Sequence, residues 1–148
     1  MSDTAELQAF MRQHLPLAKA WGVELLEARD GTARLRLPAS PQLLRPGNTV
    51  SGPALMGLAD MAIWAALLST AVGRDNSVTS SMNVNFLSSA GPGPVVAEGR
   101  VVKAGRRMIY GDILIFAEGA EKPCVHVTTH WVVIAAPQVG LPARASLC

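Results

Sequence analysis

Segments of alternating apolar and polar residues lie on both sides of one continuous apolar stretch in this chain. Before the stretch, residues 23–28 and 32–37 flank Asp30-Gly31, a dipeptide typical of type I′ turns, and predict a β-hairpin. After the stretch, turns rich in glycine and proline separate four more alternating segments. These segments predict strands at residues 77–87, 94–103, 107–117 and 124–134. An amphipathic pattern at residues 4–14 predicts a short N-terminal helix.

The apolar stretch, residues 53–72, predicts a long helix that ends before Gly73. Ser51 suits the N-cap of this helix, and Pro53 suits its first turn. The stretch is long enough to cross a bilayer, but Asp60 lies near its middle, where a charge costs about 3 kcal/mol on insertion scales. We therefore expect a helix buried inside a soluble protein, without a membrane partner. A long antiparallel sheet wrapped around this one central helix would cover its apolar surface, which is an α+β fold.

Domain organisation follows from the absence of repeats, linkers and shifts in composition. Residues 1–148 are expected to form one domain, with an N-terminal helix and lead-in at residues 1–20. The tail at residues 137–148 is rich in small residues and is expected to be flexible. The N-terminal segment is acidic and lacks the pattern of a signal peptide, which favours a cytoplasmic location.

Composition narrows the classes of function. Hydrophobic residues make up 49% of the chain, enough for a core. The net charge is only +2, the basic residues are scattered and aromatic residues are few, which argues against nucleic-acid binding. Cys124 and Cys148 form no CxxC pair, so we expect free thiols in a reducing cytosol rather than a zinc site or a disulfide.

Asp60 is the only ionisable residue from Pro53 through Gly73. Burying an unpaired carboxylate is costly, so Asp60 is either a functional group or a member of a structural hydrogen-bond network. The free N–H groups at the helix start near Gly52 can polarise a carbonyl oxygen, and a base with such a donor suits acyl transfer. Two turns span about 11 Å, so we expect Asp60 of one subunit to act with the helix start of another.

Two segments of the chain resemble a known family. Residues 50–62, VSGPALMGLADMA, resemble the helix motif of hotdog-fold thioesterases of the phenylacetate-pathway (PaaI-like) type, which is His-Gly-Gly, six residues and Asp. Residues 78–87, VTSSMNVNFL, resemble the strand that follows the helix in those proteins, and the order of elements agrees across nearly the whole chain. The resemblance implies the hotdog fold and hydrolysis of acyl-CoA thioesters. No metal or other cofactor is implied, since CoA enters as part of the substrate.

The resemblance also implies roles for individual residues. Asp60 activates water or attacks the thioester carbonyl, and the N–H of Gly52 from the neighbouring subunit holds the carbonyl oxygen. Thr79 either helps to place the water or is an ordinary strand residue. Ser51 stands where the motif has His, although its hydroxyl could cap the helix or donate a hydrogen bond. Pro53 replaces the second Gly of the motif and removes a backbone donor.

Six substrate-binding residues are predicted, namely Arg45, Asn48, Pro53, Trp64, Arg106 and Arg107. Arg45 stands where relatives often have Asn, and it could steady the loop or bind an acidic part of the substrate. Trp64 either lines an acyl tunnel or packs in the core. The two arginines at the predicted strand turn would bind the phosphates of CoA, or form a solvated hairpin end.

Two histidines on the last predicted strand are the remaining candidates. His126 and His130 have even spacing and share a polar face with Thr128. No third ligand is evident, so no metal site is predicted.

Three functions remain open for the chain. The first is an acyl-CoA thioesterase that forms dimers with continuous sheets and then tetramers. The second is a hotdog dehydratase or hydratase, although these enzymes usually pair a His with a carboxylate, and Ser51 stands at the His position. The third is a protein that binds or senses acyl-CoA without turnover, which the substitutions at positions 45, 51 and 53 favour. The identity of the acyl group is not predicted.

Overall fold

A computed structural model describes residues 3–70 and 76–134 of the chain. The predicted tail at residues 137–148 and Cys148 lie outside these residues. Two N-terminal helices, a β-hairpin, a 3-10 turn, a second and shorter hairpin, one long helix and four strands follow each other along the chain. They are α1 (Asp3–His14), α2 (Pro16–Ala20), β1 (Glu24–Arg29), β2 (Thr32–Leu37), the 3-10 turn (Pro41–Leu43), β3 (Leu44–Arg45), β4 (Thr49–Val50), α3 (Gly52–Leu68), β5 (Ser77–Phe86), β6 (Val95–Ala104), β7 (Met108–Ala117) and β8 (Val125–Val133).

Six of the strands form one antiparallel sheet in the order β1-β2-β6-β7-β8-β5. Helix α3 lies across β2, β6 and β7 on one face of this sheet, which we call the inner face. Gly99 on β6 makes this approach possible, since a Cβ there would lie 3.0 Å from the backbone of Ala62. The prediction of an α+β fold with a long antiparallel sheet around one central helix is confirmed.

The hairpin between β1 and β2 forms at the predicted turn. Asp30 and Gly31 both have positive φ angles, 49° and 85°, as a type I′ turn requires. The predicted loop at residues 38–50 is only partly a loop, because β3 and β4 pair within it. Asn48 has a φ of 56° in the turn between these two strands, a conformation that Asn tolerates well.

Helix α3 ends earlier than the sequence predicts. It stops at Leu68 instead of running to about residue 72. The hydroxyls of Ser69 and Thr70 donate to the carbonyls of Ala66 and Leu67, each at 2.7 Å. Such hydrogen bonds compete with continued helix, which explains the early end. No helix in the described residues is long and apolar enough to span a membrane.

A β-bulge in β5 sets the direction of its side chains. Thr79 lies opposite Trp131 of β8, and Ser81 lies opposite His130, so Ser80 has no partner in the ladder. Without the bulge, Thr79 and Phe86 would face opposite sides, because they are seven residues apart. With it, both lie on the inner face, together with Met82 and Val84.

The two edges of the sheet differ. Beside β1, Arg12 of α1 donates to the carbonyl of Val23 at 2.8 Å, and Gln8 accepts from the N–H of Leu25 at 2.8 Å. Helix α1 therefore covers the β1 edge. Strand β5, ten residues long, pairs only with β8 among the described residues, so its other edge is open.

Candidate active site

One stripe of α3 is not buried. Most of the helix side chains are covered by the sheet and the N-terminal segment, but Pro53, Met56, Gly57, Asp60 and Trp64 keep contact with solvent. Their spacing of three, one, three and four residues places them on one face of the helix. Asp60 is thus partly buried and still accessible to solvent, and it is the ionisable residue of this stripe.

Asp60 makes one hydrogen bond. The Oγ1 of Thr79 donates to its Oδ1 at 2.7 Å, which the bulge at Ser80 permits by turning Thr79 inward. No ion pair to Asp60 is present among residues 3–70 and 76–134. Burial raises the pKa of Asp60 above its ordinary value, and the hydrogen bond from Thr79 opposes this rise. The structure therefore brings together Asp60 and Thr79, two of the predicted site residues, and leaves Oδ2 without a partner in the described part of the chain.

Aromatic rings flank Asp60 along the helix. The indole of Trp21 lies over Gly57, where a Cβ would be only 2.8 Å from two of its ring carbons. Trp64 follows Asp60 by one turn and packs on Phe10 of α1, with ring centroids 6.1 Å apart. The two rings thus lie beside the helix turns that precede and follow Asp60. The sequence does not predict the role of Trp21, because this residue packs on Gly57, 36 positions away. The one signal in the sequence was a glycine, Gly57, within the predicted helix.

The start of α3 presents free backbone donors. Ser51 occupies the N-cap, as predicted, but its side chain makes no capping hydrogen bond, so the first of the two roles considered for its hydroxyl is not seen. The first intrahelical bond runs from the N–H of Leu55 to the carbonyl of Ser51. Pro53 has no N–H, and no acceptor for the N–H of Gly52 is found within the described residues.

The ring of Phe86 lies against this helix start. A Cβ on Gly52 would be 3.5 Å from Cζ of Phe86, and this phenylalanine is 53% exposed. Gly52 and Asp60 lie more than two turns apart on the same helix. One subunit therefore holds the carboxylate of Asp60 and the N–H of Gly52 at separate places, and does not bring them together.

The other predicted substrate-binding residues are less constrained. Arg45 is exposed, and its Nε donates to the carbonyl of Pro46 at 3.0 Å, while Asn48 serves the turn between β3 and β4. Arg106 and Arg107 are exposed at the turn between β6 and β7. Within the described segments neither arginine forms an ion pair, so both remain available to an anion.

The two histidines of β8 lie on the outer face of the sheet, opposite to the side of Trp131, as predicted. Nε2 of His126 lies 3.9 Å from a carboxylate oxygen of Asp112. The His130 ring packs on Tyr110 with ring centroids 4.7 Å apart. In residues 3–70 and 76–134, no group of three or more His, Cys, Asp or Glu side chains is arranged to hold a metal ion.

Comparison with curated proteins finds relatives with esterase names. One from Saccharolobus solfataricus, named "Putative esterase", is 29% identical over 133 residues, covering 90% of this chain and 87% of that protein. Another of the same name from Thermoplasma acidophilum is 30% identical over 84 residues, or 57% of this chain. The match spans only 63% of the length of that second relative.

Solved structures share the fold. A protein from Silicibacter sp. TM1040, described as a "putative thioesterase", is 30% identical with a TM-score of 0.80, over 89% of this chain and 92% of that chain. The PaaI protein from the phenylacetic acid degradation operon of E. coli superposes with a TM-score of 0.79, over 92% of this chain and 99% of that chain. Its sequence identity is 22%, so this likeness concerns the hotdog fold alone.

A family model described as the thioesterase superfamily matches residues 47–124, just over half of the chain. The matched segment contains the start of α3, Asp60 and Thr79. This chain therefore belongs to the thioesterase superfamily and has the hotdog fold.

Proposed function

We propose that this protein hydrolyses acyl-CoA thioesters in the cytoplasm, with Asp60 as base or nucleophile and the N–H of Gly52 from a second subunit as oxyanion donor. The observation that carries the proposal is the state of Asp60. It is a partly exposed carboxylate on an otherwise buried helix, held by one hydrogen bond from Thr79. A carboxylate kept against its solvation preference, with one oxygen free, is suited to accept a proton or to attack a carbonyl.

The proposed reaction with water as nucleophile balances as follows. The hydroxyl of Thr79 fixes Oδ1, so Oδ2 accepts a proton from water while the oxygen of that water adds to the thioester carbonyl. The N–H of Gly52 donates to the oxyanion that forms. Collapse of the intermediate breaks the C–S bond, and the proton held by Asp60 passes to the departing CoA sulfur. The products are a carboxylic acid and free CoA.

The open edge of β5 supports a site shared between subunits. If β5 pairs antiparallel with its copy around a two-fold axis, the Thr79 end of one strand lies beside the Phe86 end of the other. Because Phe86 packs on Gly52, this pairing carries the N–H of Gly52 toward Asp60 of the partner subunit. The covered β1 edge cannot offer the same contact. Association of two such dimers would give the proposed tetramer.

Binding of CoA is proposed to use the unpaired cations. Arg106 and Arg107 carry no ion pair in the described part of the chain, and a guanidinium binds phosphate oxygens in a bidentate way. Arg45, in the short hairpin before α3, is exposed and is the third candidate.

The first test replaces the carboxylate. Thiol release from a panel of acyl-CoAs would be measured for the wild type and Asp60→Asn, with CoA binding measured in parallel. We expect Asp60→Asn to lose about 10²–10⁴-fold in kcat and to keep its affinity for CoA. Equal rates in the two proteins would remove Asp60 from the mechanism.

The second test locates the oxyanion donor. Gly52→Pro deletes the N–H, and Ser51 before it already has the extended conformation that a residue before proline adopts, with a ψ of 154°. Gly52→Ala keeps the N–H, and its Cβ would make only ordinary contact with Phe86 at 3.5 Å. We expect the proline variant to lose most activity and the alanine variant to keep it.

Mixed dimers then distinguish a shared site from a site within one subunit. A dimer of one Asp60→Asn chain and one Gly52→Pro chain, purified with two different affinity tags, contains one intact site only if Asp60 and Gly52 come from different subunits. We expect it to recover about half of the wild-type activity. A mixed dimer as inactive as its parents would contradict the shared site.

A further inference from the structure

We propose that Phe86 is a specificity-determining residue, whose ring forms the wall against which the first acyl carbons beyond the thioester carbonyl pack. The preferred substrates are then thioesters whose acyl group is apolar at these carbons. The inference rests on the proposed function, because it takes the N–H of Gly52 as the place where the carbonyl oxygen binds.

The position of Phe86 comes from the backbone. The bulge at Ser80 places Phe86 on the inner face of β5, opposite Val125 of β8. From there its ring reaches the first residue of α3, with Cζ and Cε1 lying 3.5 and 3.8 Å from where a Cβ on Gly52 would stand. A carbonyl oxygen bound to the N–H of Gly52 therefore lies beside this ring, and so do the carbons attached to that carbonyl.

The ring of Phe86 keeps an apolar surface that the single chain does not cover. Phe86 is 53% exposed at the last position of an edge strand, although burying a phenylalanine is favourable. Met56, on the open stripe of α3, is also an exposed large apolar residue. An apolar acyl group that covers the Phe86 ring removes apolar area from water on both partners.

The chemistry of the ring defines what it rejects. A phenyl face offers no hydrogen-bond partner, so a hydroxyl or carboxylate pressed against it loses water without replacement. Unsatisfied burial of a hydroxyl costs about 1–3 kcal/mol, which is about five- to 150-fold in rate. Each methylene that packs on the same ring should raise kcat/KM about fourfold.

The test compares two acyl groups of equal length. The ratio of kcat/KM for butyryl-CoA to that for 3-hydroxybutyryl-CoA would be measured by thiol release. We expect a ratio of about tenfold or more in the wild type, a fall of about fivefold in this ratio for Phe86→Ala, and an intermediate value for Phe86→Leu. Leu87→Ala is the matched control, because Leu87 is the next residue, is 57% exposed and does not approach Gly52. It should leave the ratio unchanged.

Mixed dimers test where Phe86 acts. In the dimer of an Asp60→Asn chain and a Gly52→Pro chain, the intact site takes Gly52 from the Asp60→Asn chain. Adding Phe86→Ala to that chain should lower the selectivity ratio, and adding it to the Gly52→Pro chain should not.

The outcomes separate this inference from the function on which it rests. Loss of activity in Asp60→Asn with an unchanged ratio in both Phe86 variants overturns the role of Phe86 alone. Equal loss for both thioesters in Phe86→Ala and Phe86→Leu, with dissociation of the dimer seen by light scattering, also overturns it, because Phe86 is then only an interface residue. Retained activity in Asp60→Asn overturns the proposed function instead.

Discussion

At the scale of single residues, the structure shows a conflict between solvation and position at Asp60. Burial on α3 raises the pKa of this carboxyl, and within the described residues only the hydroxyl of Thr79 stabilises its charged form. The sequence could predict the conflict, because a lone carboxylate stands out in an apolar helix. It could not predict the rings of Trp21 and Trp64 on either side of the carboxyl, since these packing contacts depend on the fold of the N-terminal segment.

The pH dependence of activity reports on the bond between Thr79 and Asp60. Because the hydroxyl lowers the pKa of Asp60, its removal in Thr79→Val should raise this pKa further. The reaction needs the carboxylate, so the acid limb of the kcat/KM profile should move to higher pH. Thr79→Ser keeps the hydroxyl and is the control. An acid limb at the same pH in Thr79→Val and the wild type would show that the bond does not tune Asp60.

The free energy of unfolding should depend on pH because Asp60 is buried. The pKa of Asp60 is higher in the folded state than its ordinary value of 3.8. Below pH 3.8 the carboxyl is protonated in both states, so its burial carries no charge penalty. As the pH rises through the raised pKa, the folded state must ionise a buried group and loses stability. At neutral pH the wild type carries the whole penalty. Asp60→Asn should therefore be more stable by about 1 kcal/mol at pH 7, with the difference shrinking toward pH 4.

Urea denaturation at several pH values and one fixed protein concentration measures this difference. A constant difference across the whole range would show that ionisation of Asp60 does not cost stability. Asn retains the carbonyl oxygen that can accept from Thr79, so the comparison isolates the charge.

At the scale of elements, helix α3 shows which features the hydrophobic pattern predicts and which it does not. Its start and its apolar character are readable from the sequence, and the six strands of the large sheet were predicted within one residue of their observed ends, whereas β3 and β4 were not predicted. Its end at Leu68 was not predicted, because the stretch continues with Ala71 and Val72 before Gly73. The side-chain hydrogen bonds of Ser69 and Thr70 explain why the helix stops there. The bulge at Ser80 was also missed, because nothing in an alternating pattern marks an unpaired residue.

The contact between α3 and the N-terminal segment can be tested at Gly57. Alanine is the better helix former by about 1 kcal/mol, so helix propensity alone predicts stabilisation by Gly57→Ala. The new Cβ would stand 2.8 Å from the indole of Trp21, so we expect a net loss of about 1–3 kcal/mol in the free energy of unfolding.

Chemical denaturation measures this loss, with Gly93→Ala as control. Gly93 has no atom within 4 Å of an added Cβ, so its substitution should change stability little. Stabilisation by Gly57→Ala would mean that Trp21 does not pack there.

At the scale of the whole molecule, the unequal edges of the sheet decide how copies can meet. An uncovered strand edge presents free N–H and C=O groups that pair readily with another chain. The side chains of Gln8 and Arg12 occupy these groups at β1, which leaves β5 for association.

Removing both side chains should change the association of the protein. In Gln8→Ala combined with Arg12→Ala, the β1 edge loses its hydrogen bonds to α1. We expect a loss of about 1–2 kcal/mol in stability and concentration-dependent species larger than those of the wild type by light scattering. Gln13→Ala, at an exposed position of the same helix, should show neither effect. If the double variant associates in the same way as the wild type, these side chains of α1 do not protect the β1 edge from pairing.

The extra residue in β5 means that the geometry of the site depends on the length of this strand as well as on the identity of its residues. Loss of Ser80 as a single three-nucleotide deletion would restore an uninterrupted ladder, and every side chain on one side of the gap would then change face. Either the threonine turns away from the carboxylate or the phenylalanine leaves the helix start. The number of residues between positions 79 and 86 is therefore expected to be more constrained than the identity of residue 80, which has no partner in the ladder.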